Sequence, residues 1–288
     1  MSISQLTNVF LSNQWSQVSR AFSTSFAPWS SLILAASTTA LVGLGAYHWS
    51  QPQASATAQQ NNSFENVRRR VILAYKYVFG GFALTATAAV ASHISGLSLR
   101  LLHNSYLAIP ITLGSFAALV ATINIKKEDY KTKHIAWAIF NVGIGMLISP
   151  IGFLNQRIVA QAAAIALTLG TGLTLSAFLA PREKFLSWQG PLMVTLTSIS
   201  LASSIALFFP GTAFAYGVDR ASLYGGLIVF SGLLMSSTQR LIKEAKEHAF
   251  DPIKSSMLIY LDGMNIFLRI LAIMDEKTDR EEKKTRQV

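Results

Sequence analysis

Apolar runs of about 20 residues alternate with short charged islands along most of this chain. The runs fall at roughly 71–94, 105–123, 135–154, 159–179, 191–209, 222–242 and 256–274. Each is long enough to cross the ~30 Å hydrocarbon layer of a bilayer as a helix. The runs are continuously apolar and lack the period-two alternation of a transmembrane strand, which excludes a barrel. The expected fold class is therefore an all-α membrane protein, a bundle of seven transmembrane helices over 67–274. One extra apolar segment precedes it at 30–49, a polar low-complexity linker follows at 50–66 (QPQASATAQQNNS at its centre), and a charged tail closes the chain at 275–288.

Composition agrees: the 288 residues are 51% hydrophobic and only 13% charged, about half the charged share of a soluble domain. The net charge of +10 does not point to nucleic acid, because the basic residues flank the apolar runs instead of gathering on one domain. Anionic lipid and membrane orientation account for them. If the runs alternate sides, one face collects thirteen basic residues, from Arg68, Arg69 and Arg70 through Lys126, Lys127, Lys131 and Lys133 to Arg182, Lys184, Arg240, Lys243, Lys246 and Lys254. The other collects Arg100, Arg157 and Arg220, so the first set marks the matrix or cytosolic side. The tail carries five acids and five bases and reports no side, and whether the last run crosses fully stays open.

No Asp or Glu occurs before Glu65, and the first 31 residues hold nine Ser and one Arg. That composition reads as a mitochondrial presequence over 1–29, with Leu11, Trp15, Val18 and Phe22 forming an apolar helical stripe. A solvated Ser-rich leader fits the same composition. The 30–49 segment reads either as a further transmembrane helix or as part of a sorting signal.

Polar residues inside the apolar runs carry the candidate chemistry. Asp262, Asn265 and Arg269 lie in the last run at i, i+3 and i+7, so they share one helix face. A charge at the centre of a spanning helix costs ~2.5 to 3.5 kcal/mol, so that face must look into the bundle or a hydrated cavity. Asp262 is the candidate ion or proton site, since a desolvated carboxyl group can trade a proton for a cation. Arg269, near the end of the run, is expected to extend toward an interface. Ala162, Ala166, Gly170 and Thr174 form a small-residue stripe for close helix packing, and packing is the expected role of Gly80, Gly81, Gly143, Gly145, Gly225 and Gly226.

Enzyme chemistry finds little support. There is no cysteine, His48, His93, His103, His134 and His248 are scattered without HExxH spacing, and neither a GxSxG elbow nor a phosphate-cradling loop occurs. The chain is expected not to be an enzyme and to hold no cofactor or resident metal.

The stretch Ser222-Leu-Tyr-Gly-Gly-Leu-Ile-Val-Phe-Ser, the Thr238-Gln239-Arg240 segment, Asp251-Pro252-Ile253 and the run Tyr260-Leu-Asp262-Gly-Met-Asn265-Ile-Phe267-Leu-Arg269 resemble the signature region of the Bax inhibitor family. Lys133-His134-Ile135-Ala136-Trp137 and Ala180-Pro181-Arg182-Glu183-Lys184 are similar to its mitochondrial branch. The resemblance extends over about 67–274 and implies a seven-helix bundle with a partly polar last helix at its centre. It implies a multi-pass protein of the mitochondrial inner membrane that moves calcium and protons, with calcium bound, if anywhere, at Asp262. Effects on calcium homeostasis, cristae and apoptosis belong to the same implication, as do membrane lipids and inner-membrane proteins as partners. A membrane scaffold without transport is the alternative. In many relatives two acids on the last two helices share a proton. Asp262 matches the second, whereas Ser237 stands where the family has the first, with Asn265 and Arg269 as supporting polar groups.

Overall fold

The computed structural model describes residues 64 to 285, apart from 182, 183, 207 and 248. The presequence, the extra apolar segment and nearly all of the linker lie outside the described residues. Helix α1 spans Phe64–Ile94, so it begins inside the expected linker. There follow α2 (Leu97–His103), α3 (Ala108–Asn124), α4 (Tyr130–Ile148, continued by a 3-10 turn over Ser149–Phe153) and α5 (Gln156–Leu179). The chain continues as α6 (Gln189–Ala206), α7 (Ala213–Arg220), a π turn at Ala221–Gly225, α8 (Gly226–Glu244) and α9 (Pro252–Thr285). No strand occurs among the described residues.

Each of the seven apolar runs holds a helix, and the chain is an all-α membrane protein. Length and apolarity alone bring out fewer crossings than seven among the described residues and do not decide the count. Five described stretches are long and apolar enough to cross alone, and six if α2 and α3 are one bent span. The run that falls short is α6, where Thr195, Thr197, Ser198, Ser200, Ser203 and Ser204 dilute the apolar character. Most of these hydroxyls bond the carbonyl four residues back, for example Ser198 to Val194 at 2.9 Å and Ser200 to Leu196 at 2.8 Å. Such back-bonding satisfies a hydroxyl without help from water.

Helix ends follow local chemistry. Asn155 accepts from the Arg157 N–H and Thr212 from the Ala215 N–H, capping α5 and α7. Asp251 accepts from the Lys254 N–H ahead of Pro252, a residue whose missing N–H is no loss at a helix start. After α1 the chain turns at Gly96, whose φ of 77° is the left-handed conformation that glycine adopts without a side-chain clash.

Helix α9 is the axis of the bundle, packed against α8, α1 and α5, while α4 backs onto α1 and α3. Of its spanning window 61% is buried inside the protein, against 11% for α5, which turns most of its surface outward. Exposed Leu113, Phe116, Leu167 and Leu175 on α3 and α5 are what a lipid-facing surface requires. The small-residue stripe of α5 packs inward, with Ala162 fully buried and Gly170 beside Leu234.

The basic islands meet at one end of the bundle. Arg70 donates to the carbonyls of Ala245 and Glu247, Lys133 pairs with Asp251, and Gln239 bonds both the Pro181 carbonyl and the Phe185 N–H. At the other end Arg220 pairs with Glu276 at 2.7 Å. Since α9 links Asp251 to Glu276, it runs the length of the bundle, about 40 Å for the 27 residues Pro252–Thr278, and delivers the tail to the end opposite the basic islands.

Glycines serve close approach. A β carbon at Gly145 would sit 2.6 Å from Ala88 Cβ and 3.1 Å from the Ala89 backbone nitrogen, so α1 and α4 touch backbone to backbone there. Gly145→Ala is expected to destabilise the bundle by about 1 to 3 kcal/mol through overpacking. Gly172→Ala, with nothing within 4 Å, should be neutral or slightly stabilising. Unfolding in detergent measures both, and equal stability of the two variants would show that α1 and α4 do not lie in contact.

Candidate functional site

The polar face of α9 looks inward. Asp262, Asn265 and Arg269 are each 1% exposed, although α9 is otherwise apolar over this stretch. Asp262 lies ten residues past Pro252, about 15 Å along the helix and near the middle of its spanning portion.

Two clusters occupy this face. In the first, Ser237 Oγ of α8 donates to Asp262 Oδ2 at 2.7 Å. The other carboxylate oxygen, Asp262 Oδ1, is buried and has no hydrogen-bond partner among the described residues. A carboxylate offers about four acceptor positions, and one bond leaves it undersatisfied. No ion pair among the described residues includes Asp262.

In the second, Arg269 Nη1 donates to Asn265 Oδ1 at 3.1 Å and Arg269 Nε to the Ser222 carbonyl at 3.3 Å. The guanidinium carbon lies 4.4 Å from the centre of the Phe230 ring, a cation–π contact. Ser222 belongs to the π turn, a feature that often marks a functional site in a helix. The expectation that Arg269 extends to an interface fails, because Gly226 leaves a recess that its guanidinium fills. Asp262 and Arg269 do not form a salt bridge, as their separation of about 10.5 Å along the axis requires.

Sequence reasoning missed a third polar cluster on the side of α9 that meets α1 and α4. Tyr260 OH and Thr85 Oγ1 lie 2.6 Å apart, and Thr85 donates to the Asn141 carbonyl at 3.2 Å. Asn141 donates in turn to the Trp137 carbonyl at 2.7 Å. All three side chains are buried, and Gly81 makes room for them, since a β carbon there would stand 2.8 Å from Asn141 Oδ1. The signal was an amide in the middle of an apolar run.

Also missed was the pair at the basic end. Lys133 Nζ lies 2.5 Å from Asp251 Oδ2, with side chains 3% and 14% exposed, and donates to the Ile125 carbonyl at 2.8 Å. The described residues contain no group of three His, Asp or Glu side chains placed to hold a metal.

The arrangement is a buried, half-satisfied carboxyl at mid-helix, clamped to the neighbouring helix by a serine. Residues 67–279 match the family model described as inhibitor of apoptosis-promoting Bax1. The chain belongs to the Bax inhibitor family. Among its relatives are growth hormone-inducible transmembrane protein of Rattus norvegicus, 31% identical over 228 residues, and Bax inhibitor 1 of Schizosaccharomyces pombe, 31% identical over 168 residues. The first match covers 75% of this chain and 65% of the relative, the second 57% and 60%, so the chain spans less than two thirds of either protein. Bax inhibitor 1 of Sus scrofa is 28% identical over 214 residues, 73% of this chain and 89% of that relative. No solved structure matches. The family region thus takes in α1 to α9, and with it both ends of the Ser237–Asp262 bond.

Proposed function

We propose that this Bax inhibitor family protein is a cation conductor of the mitochondrial inner membrane, exchanging or leaking calcium in a proton-dependent way, with Asp262 as the group that alternates between proton and cation. One observation carries the reading: Asp262 Oδ1 is buried at mid-bundle without a partner among the described residues. A carboxylate in that position is stabilised by taking up either a proton or a passing cation. One carboxyl with the Ser237 hydroxyl supplies too few oxygens for the six to eight ligands of a calcium cage, which suits passage better than storage. The acid-free, Ser-rich N-terminus and the mitochondrial-type motifs support the location. Through calcium handling such a protein would bear on cristae and on the apoptotic role that its family's description names.

Reconstitution tests this. Liposomes holding the protein should take up calcium faster than protein-free liposomes, with a rate that responds to a pH gradient. Rates equal to the protein-free background would discard the conductor. Fractionation outside mitochondria would discard the location alone.

A second reading, a scaffold without transport, is favoured by the 2.7 Å Ser237–Asp262 bond, which ties α8 to α9 as a purely structural link would. Absence of calcium flux, together with cristae and partner binding that survive Asp262→Asn, would select it.

A further inference from the structure

Charge is distributed unevenly along the seam between α8 and α9. From the basic end toward the Arg220 end, the seam presents Ser237 with Asp262, then Phe230 and Gly226 with Arg269, then Ser222, then the Arg220–Glu276 pair. Arg269 thus occupies the half of the seam between the buried carboxylate and that end. It leads the fully buried side chains in volume, and the space a β carbon at Gly226 would take is filled by its guanidinium. Among the described residues its contacts are two carbonyls, an amide and an aromatic ring, none of them negatively charged. The positive charge is therefore not cancelled at short range.

An uncancelled cation in a low-dielectric interior repels other cations far more strongly than one at a surface. Channels and pores use fixed arginines in this way to exclude cations. A guanidinium suits the position because it stacks on a ring, keeps its proton and holds a planar fork of donors.

We infer that Arg269 is the barrier that closes the route between Asp262 and the Arg220 end to cations, by its charge and its bulk together. This rests on the reading of Asp262 as the ion-handling group. It adds that conduction through the seam requires Arg269 to leave its seat between Phe230, Asn265 and Ser222.

The chain contains no cysteine, so a single Ser237→Cys reporter beside Asp262 measures access without background. Protein inserted in one orientation in liposomes is treated from the Arg220 side with two membrane-impermeant thiol reagents of similar size, one cationic and one anionic. Arg269→Gln, which keeps donors for Ser222 and Asn265, should raise the ratio of cationic to anionic labelling rates about tenfold, while Arg269→Lys should stay near the parent ratio. An unchanged ratio in Arg269→Gln overturns the barrier. Phe230→Leu loosens the seat without touching the charge, so both reagents should react faster at a constant ratio. A shifted ratio there overturns it equally. Calcium flux measured in vesicles holding the parent protein and the Arg269 variants with Ser237 retained separates the two ideas: a raised labelling ratio without flux in the parent or variants keeps the barrier and removes the conductor, and flux with an unchanged ratio does the reverse.

Discussion

Lys133→Met is expected to cost the protein about 3 kcal/mol of stability, the low end of what removing one partner from a buried ion pair costs. The Lys133 side chain is 3% exposed and that of Asp251 14%, and the 2.5 Å contact between them joins the start of α4 to the start of α9. Lys133 also satisfies the Ile125 carbonyl, so three chain segments depend on one ammonium group. Methionine fills the volume but leaves a carboxylate and a carbonyl without their donor. Asp251 keeps some solvent contact, which places the cost at the low end of the range. Asp251→Asn in the same chain should restore much of the loss, since asparagine still accepts from the Lys254 N–H and caps α9 without an unpaired charge. Unfolding in detergent for the two single variants and the double variant measures the coupling. A loss under about 1 kcal/mol for Lys133→Met would reduce the pair to an ordinary surface contact.

That pair also shows what the sequence withholds. Lys133 reads as one of four lysines in a charged island and Asp251 as a cap ahead of Pro252. Their meeting depends on how α4 and α9 pack, far apart in the chain, and no local pattern encodes it. The inward turn of Asp262, Asn265 and Arg269 was legible, because solvation forbids the alternative and helical spacing puts the three on one face. The depth of Arg269 was not, since it depends on Gly226 and Phe230 opposite it. Helix positions were legible from the apolar runs. The count of crossings was not, because the Ser and Thr of α6 and the break between α2 and α3 leave length and composition short of a decision.

The grouping of the basic islands was the sequence's furthest-reaching success. Charges spread from Arg70 to Lys133 and the 240–254 region converge on one end, as alternation of sides demands. The structure adds that the acidic and basic tail begins at the other end, through Arg220 and Glu276. The charged loops therefore frame a bundle whose mid-depth polarity is concentrated on α9.

Asp262→Asn and Ser237→Asp are expected to move calcium flux in opposite directions. Asparagine has nearly the shape of aspartate and still accepts from the Ser237 hydroxyl, so the α8–α9 link seen at 2.7 Å should persist and stability should hold within about 1 kcal/mol. It can carry neither a negative charge nor an exchangeable proton. Proton-dependent flux should accordingly fall at least about tenfold, to the level of protein-free vesicles, as expected when a buried ionisable group is the transport site. Ser237→Asp places a second carboxyl group where the serine now bonds Asp262. Two acids so close cannot both ionise freely, and they titrate as one coupled pair. Flux should then rise above that of the parent protein and depend more steeply on pH, because one shared proton would hold α8 to α9 and its loss would drive them apart. Combining the two changes separates the pair from its members, since an amide on α9 facing a new acid on α8 provides one titrating group, and the steep dependence should vanish. Equal flux from the parent and Asp262→Asn would remove this carboxyl group from transport and leave Ser237–Asp262 as a structural clasp.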